Sequence, residues 1–226
     1  MARHSRIEVF LKMKETGVVP VFYHEDPAIA KKVLKACYDG GIRTFEWVNR
    51  GDFAHEVFSE INKYALEELP KMMLGAGSIV DEATAALYIQ AGANFIVSPL
   101  LNENIARICN RRKIMWTPGC GSLSEIGRAE ELGAELVKIF PASEVGGPSF
   151  VKAVKGPCPW THIMPTGGVD TTDENLKQWF NAGVTCVGMG SKLFNKEMIA
   201  RGEFEELKKR VKDLTDKIQD IKTANS

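Results

Sequence analysis

Four times in this chain a segment with helical spacing runs into a glycine and then, within a few residues, into a short apolar run: DGGIRTFEW, QAGANFIVS, ELGAELVKIF and NAGVTCVGM. The glycines are Gly41, Gly92, Gly133 and Gly183. Glycine adopts a left-handed backbone without steric penalty, which is what the end of a helix requires. Apolar runs that read as buried strands lie at 18–23, 44–48, 73–79, 95–99, 114–118, 136–141, 162–168 and 186–191, with helical spacing between them. The glycines therefore precede the second, fourth, sixth and eighth predicted strands. A βαβα unit repeated four times predicts an α/β fold, a (β/α)8 TIM barrel. A doubly wound open sheet is the alternative, and the lack of a GxGxxG after the first strand counts against it.

No proline- or serine-rich linker interrupts the pattern, so residues 1–226 are expected to form a single barrel domain. Residues 3–16 are expected to form a helix ahead of the barrel. From Glu203 to Lys222 the apolar residues Phe204, Leu207, Val211, Leu214, Ile218 and Ile221 recur every three or four positions. That spacing predicts an extended C-terminal helix with one apolar stripe, which either packs on the barrel wall or meets a partner helix.

Charge excludes some functions. The chain has 29 basic and 29 acidic residues, so no net field points to nucleic acid or to a membrane surface. No apolar run approaches the length of a membrane span. Five cysteines without a CxxC pair argue against a disulfide framework or a zinc cluster, and for a reducing cytoplasm. The four histidines lack a second ligand at metal spacing, so no metal is expected.

One residue violates the apolar logic of its strand. In ELVKIFPAS, Lys138 stands between Val137 and Ile139, and an ammonium is almost never fully buried unless paired. Alternate strand residues share a face, which groups Leu136, Lys138 and Phe140. In TFEWVNR the bulky Phe45 and Trp47 suit the helix-facing side, sending Thr44, Glu46 and Val48 inward. Since barrel layers draw on alternate strands, Glu46 and Lys138 are expected to face each other across the interior. The pair is then either a structural ion pair or catalytic machinery. In the catalytic reading, desolvation makes the amine available to attack a carbonyl, and Glu46 moves protons.

Other polar groups fall at strand C-terminal ends, where such barrels keep their sites. Arg50 follows the second strand and its planar fork suits a carboxylate; Ser78 ends the third strand within reach of the same group. Two glycine clusters, PTGG at 165–168 and GMGS at 188–191, follow the last two strands, a common place for phosphate binding by bare N–H groups.

These segments, in order GVVPV, GGIRTFEWVNR, GAGS, VSP, TPGC, VKIFPAS, MPTGG and VGMGS, resemble the bacterial 2-keto-3-deoxy-6-phosphogluconate (KDPG) aldolases, which include the 4-hydroxy-2-oxoglutarate (KHG) aldolases. The resemblance implies a homotrimeric class I aldolase with no metal or organic cofactor. It implies Lys138 as the Schiff-base lysine and Glu46 as the general acid and base. Arg50 and Ser78 would hold a carboxylate, Pro99 and Phe140 would contact the substrate, and Thr166, Gly167, Gly168, Gly190 and Ser191 would line a phosphate end. The implied ligand is a phosphorylated keto acid.

The sequence departs from the family at Tyr23, often arginine there; at Val48 and Ser78, commonly threonine; at Leu100, where glycine is usual; and near Ser122. All lie near strand ends, where they bear on the preferred aldehyde half. A sister aldolase for the galactonate epimer, or a barrel that binds phosphate ligands without catalysis, are the competing expectations.

Overall fold

The computed structural model describes residues 3–224. It opens with α1 (Arg6–Thr16), started by a reciprocal capping box between Ser5 and Glu8 and ended by Gly17 in the left-handed region. Strands and helices then alternate: β1 (Val18–Phe22), α2 (Pro27–Asp39), β2 (Thr44–Val48), α3 (Ala54–Glu68), β3 (Met73–Gly77), α4 (Glu82–Gln90), β4 (Phe95–Val97) and α5 (Glu103–Arg112). The second half runs through β5 (Met115–Thr117), β6 (Gly119–Cys120), α6 (Leu123–Glu131), β7 (Val137–Ile139), α7 (Gly147–Lys155), β8 (Ile163–Pro165), α8 (Asp173–Asn181), β9 (Val187–Met189), α9 (Lys196–Ala200) and α10 (Phe204–Ala224). The four repeat glycines follow α2, α4, α6 and α8 with φ values of 106°, 97°, 86° and 96°, so each does the job its position predicts.

Every strand pairing is parallel, but the ladder is not one continuous ring. Six strands form a sheet in the order β5-β4-β3-β2-β1-β9, and three more form β6-β7-β8. The fifth predicted strand, 114–118, appears as β5 and stops before Pro118, which has no N–H to give to a ladder; the extended chain resumes beyond the predicted range as β6, and the Pro118 carbonyl accepts from Lys138 N at 2.8 Å. Between β8 and β9 the contact narrows to a Thr166–Gly188 bridge and a hydrogen bond from Thr185 N to the Ile163 carbonyl at 2.9 Å. The architecture is thus α/β with a parallel half-barrel sheet and a smaller parallel sheet beside it.

Strand alternation sorts the apolar side chains into two cores. Phe45, Trp47, Ile96, Trp116, Val137 and Ile139 join the helices in the larger one. The smaller one holds Val19, Met73, Phe95, Met115, Leu136, Met164 and Cys186 with Val9 and Met13 of α1. Most of these stand at or just before the start of a strand, so α1 closes the end where the strands begin. Among the described residues, the strand C-terminal ends carry no such helix across them.

The α10 stripe packs on the protein's own helices, chiefly α2 and α8, with Leu207, Val211, Leu214 and Ile218 buried. This decides between wall packing and a partner helix for those positions. The approach is close enough to require Gly40, where a Cβ would lie 2.6 Å from Val211 Cγ1. The far end is tied down by Gln219, whose amide donates to the Glu15 and Thr16 carbonyls at 2.9 and 3.3 Å. Replacing Ile218 with alanine, a fully buried deletion, should lower unfolding stability by about 2–5 kcal/mol, read from the midpoint of urea denaturation.

Candidate active site

Glu46 lies at the middle of β2, aligned with Val21 of β1 and Gly75 of β3; Lys138 lies at the middle of β7, aligned with Gly119 and Met164. Their neighbours in sequence, Phe45 and Trp47, Val137 and Ile139, point to the helices, which leaves the two charges on the enclosed face. Lys138 Nζ stands 3.7 Å from Glu46 Oε1. That is ion-pair distance and longer than a hydrogen bond. Glu46 is 1% exposed and Lys138 5%, and Glu46 Oε2 has no hydrogen-bond partner.

Burial raises the Glu46 carboxyl above its ordinary value, with the charges of Lys138 and then Arg50 pulling the other way. Desolvation therefore outweighs pairing, as expected for a carboxylate deprived of water and given one distant cation. Room for the carboxylate comes from β3, which has glycine at 75 and 77 where β1 and β2 have side chains. A Cβ at Gly77 would overlap Glu46 Oε1.

Two residues farther along the same strand faces, Val48 and Phe140 line a cleft of about 580 Å³. The Phe140 ring centroid is 5.0 Å from Lys138 Nζ. The cleft also takes in Tyr23 and, with Phe140, six more of the residues expected at the site: Arg50, Thr166, Gly167, Gly168, Gly190 and Ser191. Arg50 is exposed there. Gly167 and Gly168 have φ of 95° and 77°, a turn that a side chain would strain. Thr166 Oγ1 is buried without a partner.

Ser78 and Pro99 are half-buried at the ends of the third and fourth strands and are not on the cleft wall. Ser78 has φ 58°, a left-handed conformation uncommon outside glycine and often found where a site over-determines the backbone. Pro99 meets the β5–β6 break: a Cβ on Gly119 would collide with its carbonyl. The sequence reading passed over two cations on the cleft wall, Lys192 and Lys196. The signal available was their place just after GMGS, Lys192 immediately and Lys196 four residues later. A larger groove of about 760 Å³ lies near α1 and α10, lined by Glu8, Arg43 and Asp216 among others, and holds none of the expected site residues.

The profile of the KDPG and KHG aldolase family matches residues 9–210. A 2-dehydro-3-deoxy-phosphogluconate aldolase of Pseudoalteromonas atlantica is 33% identical over 84% of this chain and 86% of its own length. The enzyme of the same name from Treponema pallidum is 31% identical over 89% and 93%. Among solved structures, the KDPG aldolase of Legionella pneumophila, captured with pyruvate as a covalent carbinolamine, superposes with a TM-score of 0.81 at 24% identity, covering 94% of this chain and 98% of that one; at that identity it speaks for the fold.

The Gly77 clearance can be tested without any substrate. Gly77→Ala should force the Glu46 side chain off its present rotamer and cost about 1–3 kcal/mol of stability, measured by chemical denaturation.

Proposed function

Because this chain belongs to the KDPG and KHG aldolase family, we propose that it reversibly cleaves 2-dehydro-3-deoxy-6-phosphogluconate to pyruvate and glyceraldehyde 3-phosphate through a Schiff base on Lys138. The observation that carries the reading is the buried Lys138–Glu46 pair, 3.7 Å apart, whose amine lies 5.0 Å from the ring centroid of Phe140, a residue on the wall of the cleft that Arg50 and a glycine-rich turn also line.

The chemistry follows from those groups. The amine of Lys138 attacks the C2 carbonyl of the keto acid, giving a carbinolamine that loses water to an iminium. Ionised Glu46 takes the proton of the C4 hydroxyl. As the C4–O bond becomes a carbonyl, the C3–C4 bond breaks and its electron pair flows into the iminium, forming the enamine of pyruvate and releasing the aldehyde. The enamine takes a proton at C3, water hydrolyses the resulting iminium, and pyruvate leaves Lys138 free. Arg50, with its bidentate fork, holds the substrate carboxylate, assisted by Ser78; Pro99 and Phe140 bound the reacting carbons. The N–H groups of Gly167, Gly168, Gly190 and Ser191, with Thr166, receive the phosphoryl end.

We read the two sheets as one closed (β/α)8 barrel and one domain, on the support of the unbroken chain through Pro118 and the Thr166–Gly188 bridge. Exposed apolar side chains at Val80, Leu100 and Leu123 supply surface for a homotrimer. No helix among the described residues is long and apolar enough to cross a membrane, and we assign the protein to the cytoplasm.

Incubation with pyruvate and borohydride should add one reduced pyruvyl group, mapped by mass spectrometry to Lys138, and Lys138→Ala should abolish it; a folded protein that takes up no adduct overturns the Schiff-base reading. The pH dependence has a definite sign. Glu46 accepts a proton only when ionised, and its carboxyl is raised above 4.5 by burial. Cleavage should therefore fall as pH drops through a value above the ordinary carboxylate range. Glu46→Gln should remove that acid limb and lower kcat by about 10²–10⁴, as read from a kcat profile against pH.

A further inference from the structure

The cleft is unusual in its charge. Its wall carries three cations, Arg50, Lys192 and Lys196, and no acid, although the chain as a whole has as many acidic as basic residues. Four other grooves among the described residues each include acidic side chains: Glu8, Glu15 and Asp216 in one, Glu174 in another, Glu206 and Asp213 in the third, Glu82 in the fourth. An excess of one sign in a concave site focuses its field on an oppositely charged ligand.

Arg50 is committed to the carboxylate in the proposed mechanism, which leaves two ammonium groups beside Gly190 and Ser191. Among the described residues, neither side chain is in an ion pair. Lys192 exerts a small influence on Asp170, whose carboxyl is held low first by its hydrogen bond from Thr172 and only last by Lys192. The main chain at Lys192 is anchored, since Arg210 of α10 donates to its carbonyl at 2.6 Å. Lys196 opens α9 directly after the Asn195 cap, whose side chain accepts from Glu197 N and Met198 N. Two cations on tethered backbone, neither of them in an ion pair among the described residues, line the same space as a glycine turn whose N–H groups suit an anion.

We propose that Lys192 and Lys196 are specificity-determining residues that make the cleft selective for keto acids ending in a phosphoryl dianion over those ending in a carboxylate. This rests on the aldolase reading and deepens it. The glycine N–H groups accept either anion; the two point charges reward the second negative charge that only the phosphoryl group carries. Because both lysines are exposed, the reward is sensitive to salt.

The test compares kcat/KM for cleavage of 2-dehydro-3-deoxy-6-phosphogluconate and of 4-hydroxy-2-oxoglutarate by the full chain and by Lys192→Ala, Lys196→Ala and the double variant, at low and high ionic strength. A charge-assisted contact is worth about tenfold. The ratio favouring the phosphorylated substrate should fall about tenfold in each single variant and about a hundredfold in the double, mainly through KM. Lysine-to-arginine variants should retain most of it, and in the unaltered protein it should shrink as salt rises. An equal loss on both substrates, an unchanged ratio, or a wild-type protein that does not prefer the phosphorylated substrate overturns the proposal. Borohydride trapping of pyruvate separates the two failures: an adduct on Lys138 with no phosphoryl preference sinks this inference alone, whereas a missing adduct sinks the aldolase reading with it.

Discussion

Holding Glu46 and Lys138 out of water, facing each other at 3.7 Å, imposes conditions on most of the surrounding structure. A buried ion pair rarely repays its desolvation, so the fold must supply the difference from apolar burial elsewhere, and it must keep the space around the charges clear. The two cores meet the first condition. Glycine at 77 on β3 meets the second, since a side chain there would run into the Glu46 carboxylate. The same burial that costs stability raises the Glu46 carboxyl above its ordinary value, the direction that suits a group which both takes and returns a proton.

The helices at the chain's two ends serve this arrangement indirectly. Helix α1 inserts Val9 and Met13 against the strand starts, which packs apolar side chains between that end and the pair. Helix α10 lies over α2 and α8 and reaches back to the carbonyls at the end of α1 through Gln219 and Lys222. It also holds the carbonyl of Lys192 through Arg210. A helix with no residue assigned to chemistry thereby steadies one wall of the cleft.

Several strand assignments were legible because period-two alternation is local. Phe45 and Trp47 against Glu46, and Val137 and Ile139 against Lys138, separate into two faces in any half-buried strand, and the repeat made the two charged faces converge. Other features depend on contacts between segments far apart in the chain. The division of the ladder into two sheets takes two interruptions, one at Pro118, which lacks an N–H, and one between β8 and β9, where pairing narrows to the Thr166–Gly188 bridge; the proline is easy to see in the sequence but without consequence until a neighbouring strand is present. Ser78 and Pro99 occupy the strand ends where they were expected, yet the cleft wall passes them by. Lys192 and Lys196 drew no notice, because exposed lysines are common and only their place on a cleft wall that carries no acid makes these two distinctive.

The sequence by itself determined the alternation of strands and helices, the glycine stops, the inward facing of Glu46 and Lys138, and the family to which those motifs point. Each is a matter of residue type and short-range period, and each is encoded within a few positions. Tertiary structure alone decided the distance between the two charges, the orphaned oxygen on Glu46, the closure of one end by α1, and the acid-free wall of the cleft. These are sums over residues brought together from β1, β2, β7, β8 and β9, and no stretch of chain contains them until the strands are side by side.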